Sequence, residues 1–310
     1  MKIAIMGTGG VGGYYGGLLA RQGHDVTFIA RGEHLQAIQE NGLQVKSVHG
    51  DFHVQPAQAT HNPSQIGPVD LVVFSTKTYS IDDAAQQIKP IVGEKTTVLP
   101  LENGIDAAER IGAAVGMEHL LGGVTWISSK VESPGVIKQI SPFRRVVMGE
   151  LDGQVSDRAR TIHKAFEQTG ITAEFSENIL KIMWTKFVFI AAVSGIGSLT
   201  RLPMGDYRSV PETREMMMQL MQEVESLARA QGIQLDEDVV RKSLDFTDNA
   251  PAHMKPSMQL DVEAGQRSEL EAMIGVIGRK GRELGVPTPV ADMVYASLLP
   301  GAMEAQNKQN

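Results

Sequence analysis

The chain opens on Lys2–Met6, a short and mostly apolar run with β-branched residues, the pattern of a strand buried on both faces. A helix is expected from about Val11 to Arg21, stopping near Gly23, and a second strand over Asp25–Ala30. Apolar runs and helical periodicities then alternate: strand Asp70–Ser75, helix Ile81–Ile88, strand Thr96–Leu101, helix Asp106–Val115. From Leu121 to Gly149 the pattern changes to short strands separated by turns such as Ser133-Pro134-Gly135. A helix over Ser156–Gln168 and a last strand over Gly170–Phe175 complete a doubly wound α/β sheet with added strands.

After about Ser176 the strand signal disappears. Ser176 stands where it can cap a helix from Glu177 to about Ser194, and apolar residues between Ile179 and Ile190 surround that helix's axis, so burial is expected. A long helix after Pro211 carries Met217, Leu220, Met221, Val224 and Leu227 on one face and ends near Gly232. The methionines at 216–218 and 221 read as core filling. Ser268-Glu269-Leu270-Glu271 has the form of a capping box, opening a helix that runs to about Leu284 and stops at Gly285-Val286-Pro287. A final helix is expected over about Val290–Leu299, with the polar tail Glu304–Asn310 frayed.

The turn after the first strand is Gly7-Thr8-Gly9-Gly10-Val11-Gly12, a G-x-G-x-x-G inside one strand–helix–strand unit. Gly7 suits a tight turn, Gly9 lets a pyrophosphate approach the backbone, and Gly12 lets helix and strand pack closely. The helix N-terminus offers free N–H groups to the phosphates. A glycine-rich turn without a ligand is the bland alternative, and the flanking elements weigh against it. At the end of the second strand an acidic residue would bind the ribose 2′-hydroxyl of NAD; the chain has Arg31 instead, nineteen positions past Gly12. A guanidinium there can hold a 2′-phosphate, so NADP is expected. Glu33 keeps NAD open, and a plain surface arginine also explains the position. Ser75-Thr76-Lys77 and Glu102-Asn103-Gly104 fall at other strand ends, where ligands sit in such sheets. Asn-Gly is equally an ordinary turn, and Lys77 equally a solvated lysine. The expected organisation is a Rossmann-type domain over 1–172 followed by an all-α domain over 173–310.

Lys186 is the anomaly of the helical half, because a lysine on a helix that is apolar all round is costly unless its charge meets water, a partner or a ligand. It shares a stripe with Ile190 and Ser194, at roughly 100° per residue. A snorkelling side chain is the plain reading; beside a nicotinamide domain it becomes a candidate general acid, since burial lowers a lysine's pKa. Glu269 already has a structural reason at the start of a helix, in its interaction with the dipole.

Composition removes other classes. The 310 residues contain no cysteine, which excludes disulfides, thiolate metal sites and a cysteine nucleophile. A net charge of −7 argues against nucleic-acid binding. The eight histidines show no metal-ligand spacing, so no metal is expected. Glycines from Gly7 to Gly17 break the N-terminal run as a signal peptide. The longest uncharged stretch, Phe187–Thr200, is short for a membrane span and contains Gly195 and Gly197, so a soluble, cytoplasmic protein is expected.

Taken in order, Gly7–Gly12, Arg31, Ser75-Thr76-Lys77, Asn103-Gly104, Trp184-Thr185-Lys186-Phe187, Ser257-Met258 and Glu269-Leu270-Glu271 followed by Gly275 resemble the ketopantoate reductase (2-dehydropantoate 2-reductase) family over nearly the whole chain. The resemblance implies an N-terminal Rossmann domain, a helical C-terminal domain and an active site in the cleft between them. It implies Lys186 as the proton donor and Asn103 near nicotinamide and substrate. Arg31 and Lys77 match cofactor contacts, and Ser257 and Glu269 match residues serving cofactor and substrate. The implied reaction is NADPH-dependent reduction of a 2-keto acid to an R-2-hydroxy acid.

The departures from that family concern the substrate. Ile190 stands where asparagine is common, Ser194 replaces a second asparagine, and two further polar contacts fall on Met204 and Met254. Such a pocket should hold an apolar or aromatic side chain better than a hydroxylated one, with relaxed specificity. Glu102 stands where glutamine or histidine often precedes Asn-Gly, and the sequence assigns it no role. The first expectation is 2-dehydropantoate reduced to (R)-pantoate. A mandelate-type D-2-hydroxyacid dehydrogenase for bulky apolar keto acids follows, and then a non-catalytic NADPH sensor. The methionine-rich C-terminal half leaves a homodimer open.

Overall fold

A computed structural model describes residues 1–308. Contacts divide the chain into two units: Met1–Glu102 with Asp106–Ile179, and Asn103–Ile105 with the chain from Leu180 onward. The first unit contains β1 (Lys2–Met6), α1 (Gly10–Arg21), β2 (Asp25–Ile29), α2 (Gly32–Asn41), β3 (Leu43–Lys46), β4 (Phe52–Val54) and β5 (Gln58–Thr60). It continues with β6 (Leu71–Phe74), α3 (Ile81–Ile88), β7 (Thr97–Pro100), α4 (Ala107–Val115), β8 (Gly122–Ser133), β9 (Val136–Gly149), α5 (Asp157–Glu167) and β10 (Thr172–Phe175).

One sheet of this unit has the order β5-β2-β1-β6-β7, and all its pairings are parallel. Apart from β5, its strands are buried on both faces, successive side chains pointing to opposite sides. Ile3, Ile5, Leu71 and Val73 enter one core, while Ala4, Met6, Val72 and Phe74 enter another. The strand ends that precede the helices therefore gather at one edge, the place for a ligand in such a sheet.

The added strands form a second, mixed sheet in the order β10-β9-β3-β4, with β8 antiparallel to β9. In place of the several short strands expected between Leu121 and Gly149, β8 and β9 run 12 and 14 residues as one hairpin. Its turn is Pro134-Gly135, with Gly135 at φ +76°, a conformation that glycine adopts without strain. Bulges near Ile127 and Val131 shift the register and interrupt the alternation that the sequence would otherwise have shown.

The second unit is helical: α6 (Ile179–Thr200), α7 (Met204–Ser209), α8 (Pro211–Ala230), α9 (Val239–Asn249), α10 (Ser257–Glu263), a π turn (Glu271–Gly275), α11 (Val276–Leu284) and α12 (Pro289–Asn307). Its core joins Phe187, Val188 and Ile196 of α6 to Met217, Leu220 and Met221 of α8. α6 begins two residues later than expected and continues past Ser194 to Thr200. The Ser176 hydroxyl accepts the Asn178 N–H at 3.0 Å, a cap-type bond two residues on, just ahead of the helix. Gly195 and Gly197 do not break α6, because neighbours use their missing side chains. A Cβ on Gly195 would lie 2.9 Å from Ile274, and one on Gly197 2.4 Å from Gln259.

By length and composition α6 is apolar enough to cross a membrane, contrary to the expectation that no run qualifies; most of that stretch is buried inside the protein. The capping box at Ser268 does not form either. Among the described residues the buried Ser268 hydroxyl has no hydrogen-bond partner, and Glu271 instead accepts the Tyr295 hydroxyl at 2.7 Å. α12 passes through Pro300 to Asn307, so the described part of the tail is helical; Gln309 and Asn310 lie outside the described residues. The expected reading lacked α2, β3, β4, β5, α7, α9 and α10.

Candidate active site

The glycine loop shows different pressures at its different glycines. Gly7 has φ +93°, and a Cβ there would lie 2.8 Å from the Ser75 carbonyl oxygen. A Cβ on Gly10 would meet the Ser129 carbonyl oxygen at 2.3 Å, and one on Gly12 the Gly7 carbonyl oxygen at 2.3 Å and Ile5 at 2.9 Å. These three are required by the protein's own packing. Gly9 is not, for no atom of the described residues lies within 4 Å of an added Cβ. It immediately precedes α1, so the space beside it opens onto the helix N-terminus. Thr8 is buried and ties the loop to β2, its backbone N–H and hydroxyl both donating to the Ile29 carbonyl at 3.1 and 3.0 Å. Val11 packs on the core.

Arg31 lies two residues past the end of β2, just before α2, and is exposed, its Nη2 donating to Gln87 of α3 at 3.0 Å. Lys77 is exposed two residues after Ser75, which donates through its hydroxyl to the Gly7 carbonyl at 3.0 Å. An open glycine at a helix start with exposed cations on the same unit suits the phosphates of a dinucleotide. A cavity lined by Tyr14, Arg21, His49 and Arg144 includes none of these residues.

In the helical unit, Lys186 Nζ donates to Asn103 Oδ1 at 2.8 Å. Burial pushes the ammonium down to about 8, against the opposing pull of the Glu269 carboxylate, which favours the charged form. Glu269 is 7% exposed and immediately precedes the segment that carries the π turn, a feature frequent at functional sites. Asn103 is presented by a turn in which Gly104 has φ +101°. The structure thus brings together three of the residues singled out: Lys186, Asn103 and Glu269.

The remaining substrate candidates are spread over the helical unit. Ile190 is partly buried one turn beyond Lys186, Ser194 is buried a turn further, and Ser257 is exposed at the first position of α10. Met204 is fully buried in the core, its backbone N–H bonded to the Met254 carbonyl at 3.0 Å.

Sequence reasoning left Glu102 without a role. Its Oε1 accepts the Thr76 backbone N–H at 2.8 Å. No local pattern announces a carboxylate whose partner is a backbone group 26 positions away.

Two family descriptions match the chain: Ketopantoate reductase PanE/ApbA over residues 3–153, and Ketopantoate reductase PanE/ApbA C terminal over residues 178–300. An uncharacterized oxidoreductase, YkpB, of Bacillus subtilis is 33% identical over 96% of this chain and 98% of its own. A 2-dehydropantoate 2-reductase of known structure from Geobacter metallireducens superposes with a TM-score of 0.90 at 31% identity, over 97% of this chain and 99% of that one. A D-mandelate dehydrogenase solved with NADH and anilino(oxo)acetate superposes with a TM-score of 0.88 at 25% identity, over 99% of both chains. With both halves matched in order and an oxidoreductase relative spanning nearly its full length, this chain belongs to the ketopantoate reductase PanE/ApbA family of oxidoreductases.

Proposed function

We propose that the protein reduces a 2-keto acid to an R-2-hydroxy acid with NADPH, and that the substrate is 2-dehydropantoate, giving (R)-pantoate. The observation that carries this reading is the Lys186 ammonium, held by Asn103 at 2.8 Å and lowered to about 8 by burial. The reduced nicotinamide, when bound, supplies a hydride to the keto carbon. Negative charge then gathers on the carbonyl oxygen. An ammonium within hydrogen-bond reach stabilises that oxygen more in the transition state than in the ground state. Lys186 completes the step by giving the oxygen its proton. An amine with a pKa near 8 is charged at neutral pH and still releases its proton readily. Asn103 orients the ammonium, and the Glu269 carboxylate favours its recharging between turnovers.

NADP is preferred because Arg31, a cation exposed at the end of β2, occupies the place from which NAD-binding chains offer a carboxylate. The reading describes a cytoplasmic enzyme with a small-molecule substrate. One observation favours a second reading, a mandelate-type dehydrogenase for bulky apolar keto acids. Ile190, one turn from Lys186, offers a partly exposed apolar side chain where a hydroxylated substrate would need an amide. The D-mandelate dehydrogenase likeness supports that reading and makes NADH the alternative cofactor.

A keto-acid panel with both nicotinamide cofactors separates these readings. Loss of the reduced-nicotinamide absorbance with ketopantoate and NADPH, well above the rate with phenylglyoxylate, is expected. Preference for phenylglyoxylate selects the second reading, with Ile190→Asn shifting preference toward ketopantoate. Cofactor binding without turnover on any keto acid would overturn both and leave a sensor.

A further inference from the structure

We propose that Glu102 is a positioning residue for the dinucleotide site, its carboxylate fixing the Ser75–Lys77 loop against the glycine loop. The proposal rests on the reading of that sheet edge as a dinucleotide site. β1, β6 and β7 are neighbouring parallel strands, and the hydrogen bonding between them continues just past their ends. Ser75 N–H donates to the Met6 carbonyl at 2.9 Å, and Leu101 N–H to the Phe74 carbonyl at 2.8 Å. There the regular ladder stops. Thr76 has left the strand, and its N–H is taken by Glu102 Oε1 at 2.8 Å.

A carboxylate accepting a backbone N–H makes one of the stronger hydrogen bonds available to a loop. Among the described residues the buried Thr76 hydroxyl has no hydrogen-bond partner, so nothing from that side chain duplicates the clamp. On its other side the loop is tied to the glycine turn. The Ser75 hydroxyl donates to the Gly7 carbonyl at 3.0 Å, and the two backbones are so close that a Cβ on Gly7 would lie 2.8 Å from the Ser75 carbonyl oxygen. Holding Thr76 therefore holds Gly7 as well, across three strand ends. Arg110, bidentate with Asp82 at 2.9 and 3.0 Å, lies within the electrostatic reach of Glu102. A loop fixed before binding loses less freedom when a ligand arrives, and the gain appears as affinity.

The test is a fluorescence titration of NADPH into the parent, Glu102→Ala and Glu102→Gln, with hydrogen exchange of the Thr76 amide in the ligand-free proteins. Glu102→Ala is expected to raise the dissociation constant about tenfold and to speed Thr76 exchange, the range for losing a charged hydrogen bond. Glu102→Gln keeps an acceptor oxygen and should restore both to within about threefold of the parent. Glu102→Met keeps the volume without the acceptor and should show the same weaker binding and faster Thr76 exchange, which keeps the test open should the alanine variant fail to fold. A parent that binds neither NADPH nor NADH would overturn the dinucleotide reading itself. A parent that binds, with Ala and Met variants matching its affinity, would overturn the positioning role alone.

Discussion

Lys186 Nζ donates to Asn103 Oδ1 at 2.8 Å, although 83 positions of sequence separate the two residues. Asn103 and the two residues after it group by their contacts with the helical unit, while Glu102 before it groups with the sheet. Lys186 and Asn103 therefore belong to one unit, and their bond is a feature of that unit's own fold.

Lys186→Ala should lower kcat by about two to four orders of magnitude, the usual worth of a positioned acid, while NADPH still binds. Steady-state kinetics with a parallel cofactor titration checks both halves. Equal loss of turnover and cofactor binding would point to a structural role instead.

The same lysine predicts a pH dependence. Reduction needs the ammonium, which titrates at about 8 in the folded protein, so kcat/KM for reduction should be level below that pH and fall above it. The stability effect has the opposite sense. An unfolded lysine titrates at about 10.4, so between about 8 and that value the unfolded chain binds more protons, and stability from this group rises with pH. Lys186→Met, which carries no charge to desolvate, should remove that rise and melt above the parent at neutral pH while being inactive. Thermal melts across pH 7–10 on both proteins test the sign.

Two glycines of the turn should respond differently. Gly12→Ala forces a Cβ to 2.3 Å from the Gly7 carbonyl oxygen and should cost about 1–3 kcal/mol of stability or more. Gly9→Ala meets no atom of the described residues within 4 Å and should leave the ligand-free melting temperature nearly unchanged. It should nevertheless weaken NADPH binding, since the new methyl occupies the space left for phosphate. Destabilisation of the Gly9 variant, or undiminished cofactor affinity, would contradict the assignment.

Arg31→Ala should weaken NADPH by about tenfold or more, the worth of a charged hydrogen bond, and NADH far less. Among the described residues the exposed guanidinium is hydrogen-bonded to a neutral amide, Gln87, so it can turn toward a phosphate without breaking an ion pair. Parallel titrations with the two cofactors read the difference, and equal losses would remove the 2′-phosphate role.

Much of the sheet was legible in the sequence because its signals are local. β1, α1 and β2 each announce themselves within a dozen residues, and the φ of Gly7 is set by the turn that joins β1 to α1. α3 was bounded to the residue, since its apolar and polar positions alternate at the helical period and acidic residues open its first turn. The lysine that did not belong on an apolar helix was visible for the same reason.

What the tertiary structure alone decided depends on residues far apart in the chain. α6 runs through two glycines because Ile274 and Gln259 need the room, and the Ser268 box stays unformed because Glu271 is engaged by Tyr295. The partner of Lys186, the lowering of its pKa by burial and the hold of Glu102 on Thr76 follow from packing. Periodicity and capping rules reach only a few positions along the backbone. A hydrogen bond closed over 83 or 26 residues leaves no such trace until the chain has folded.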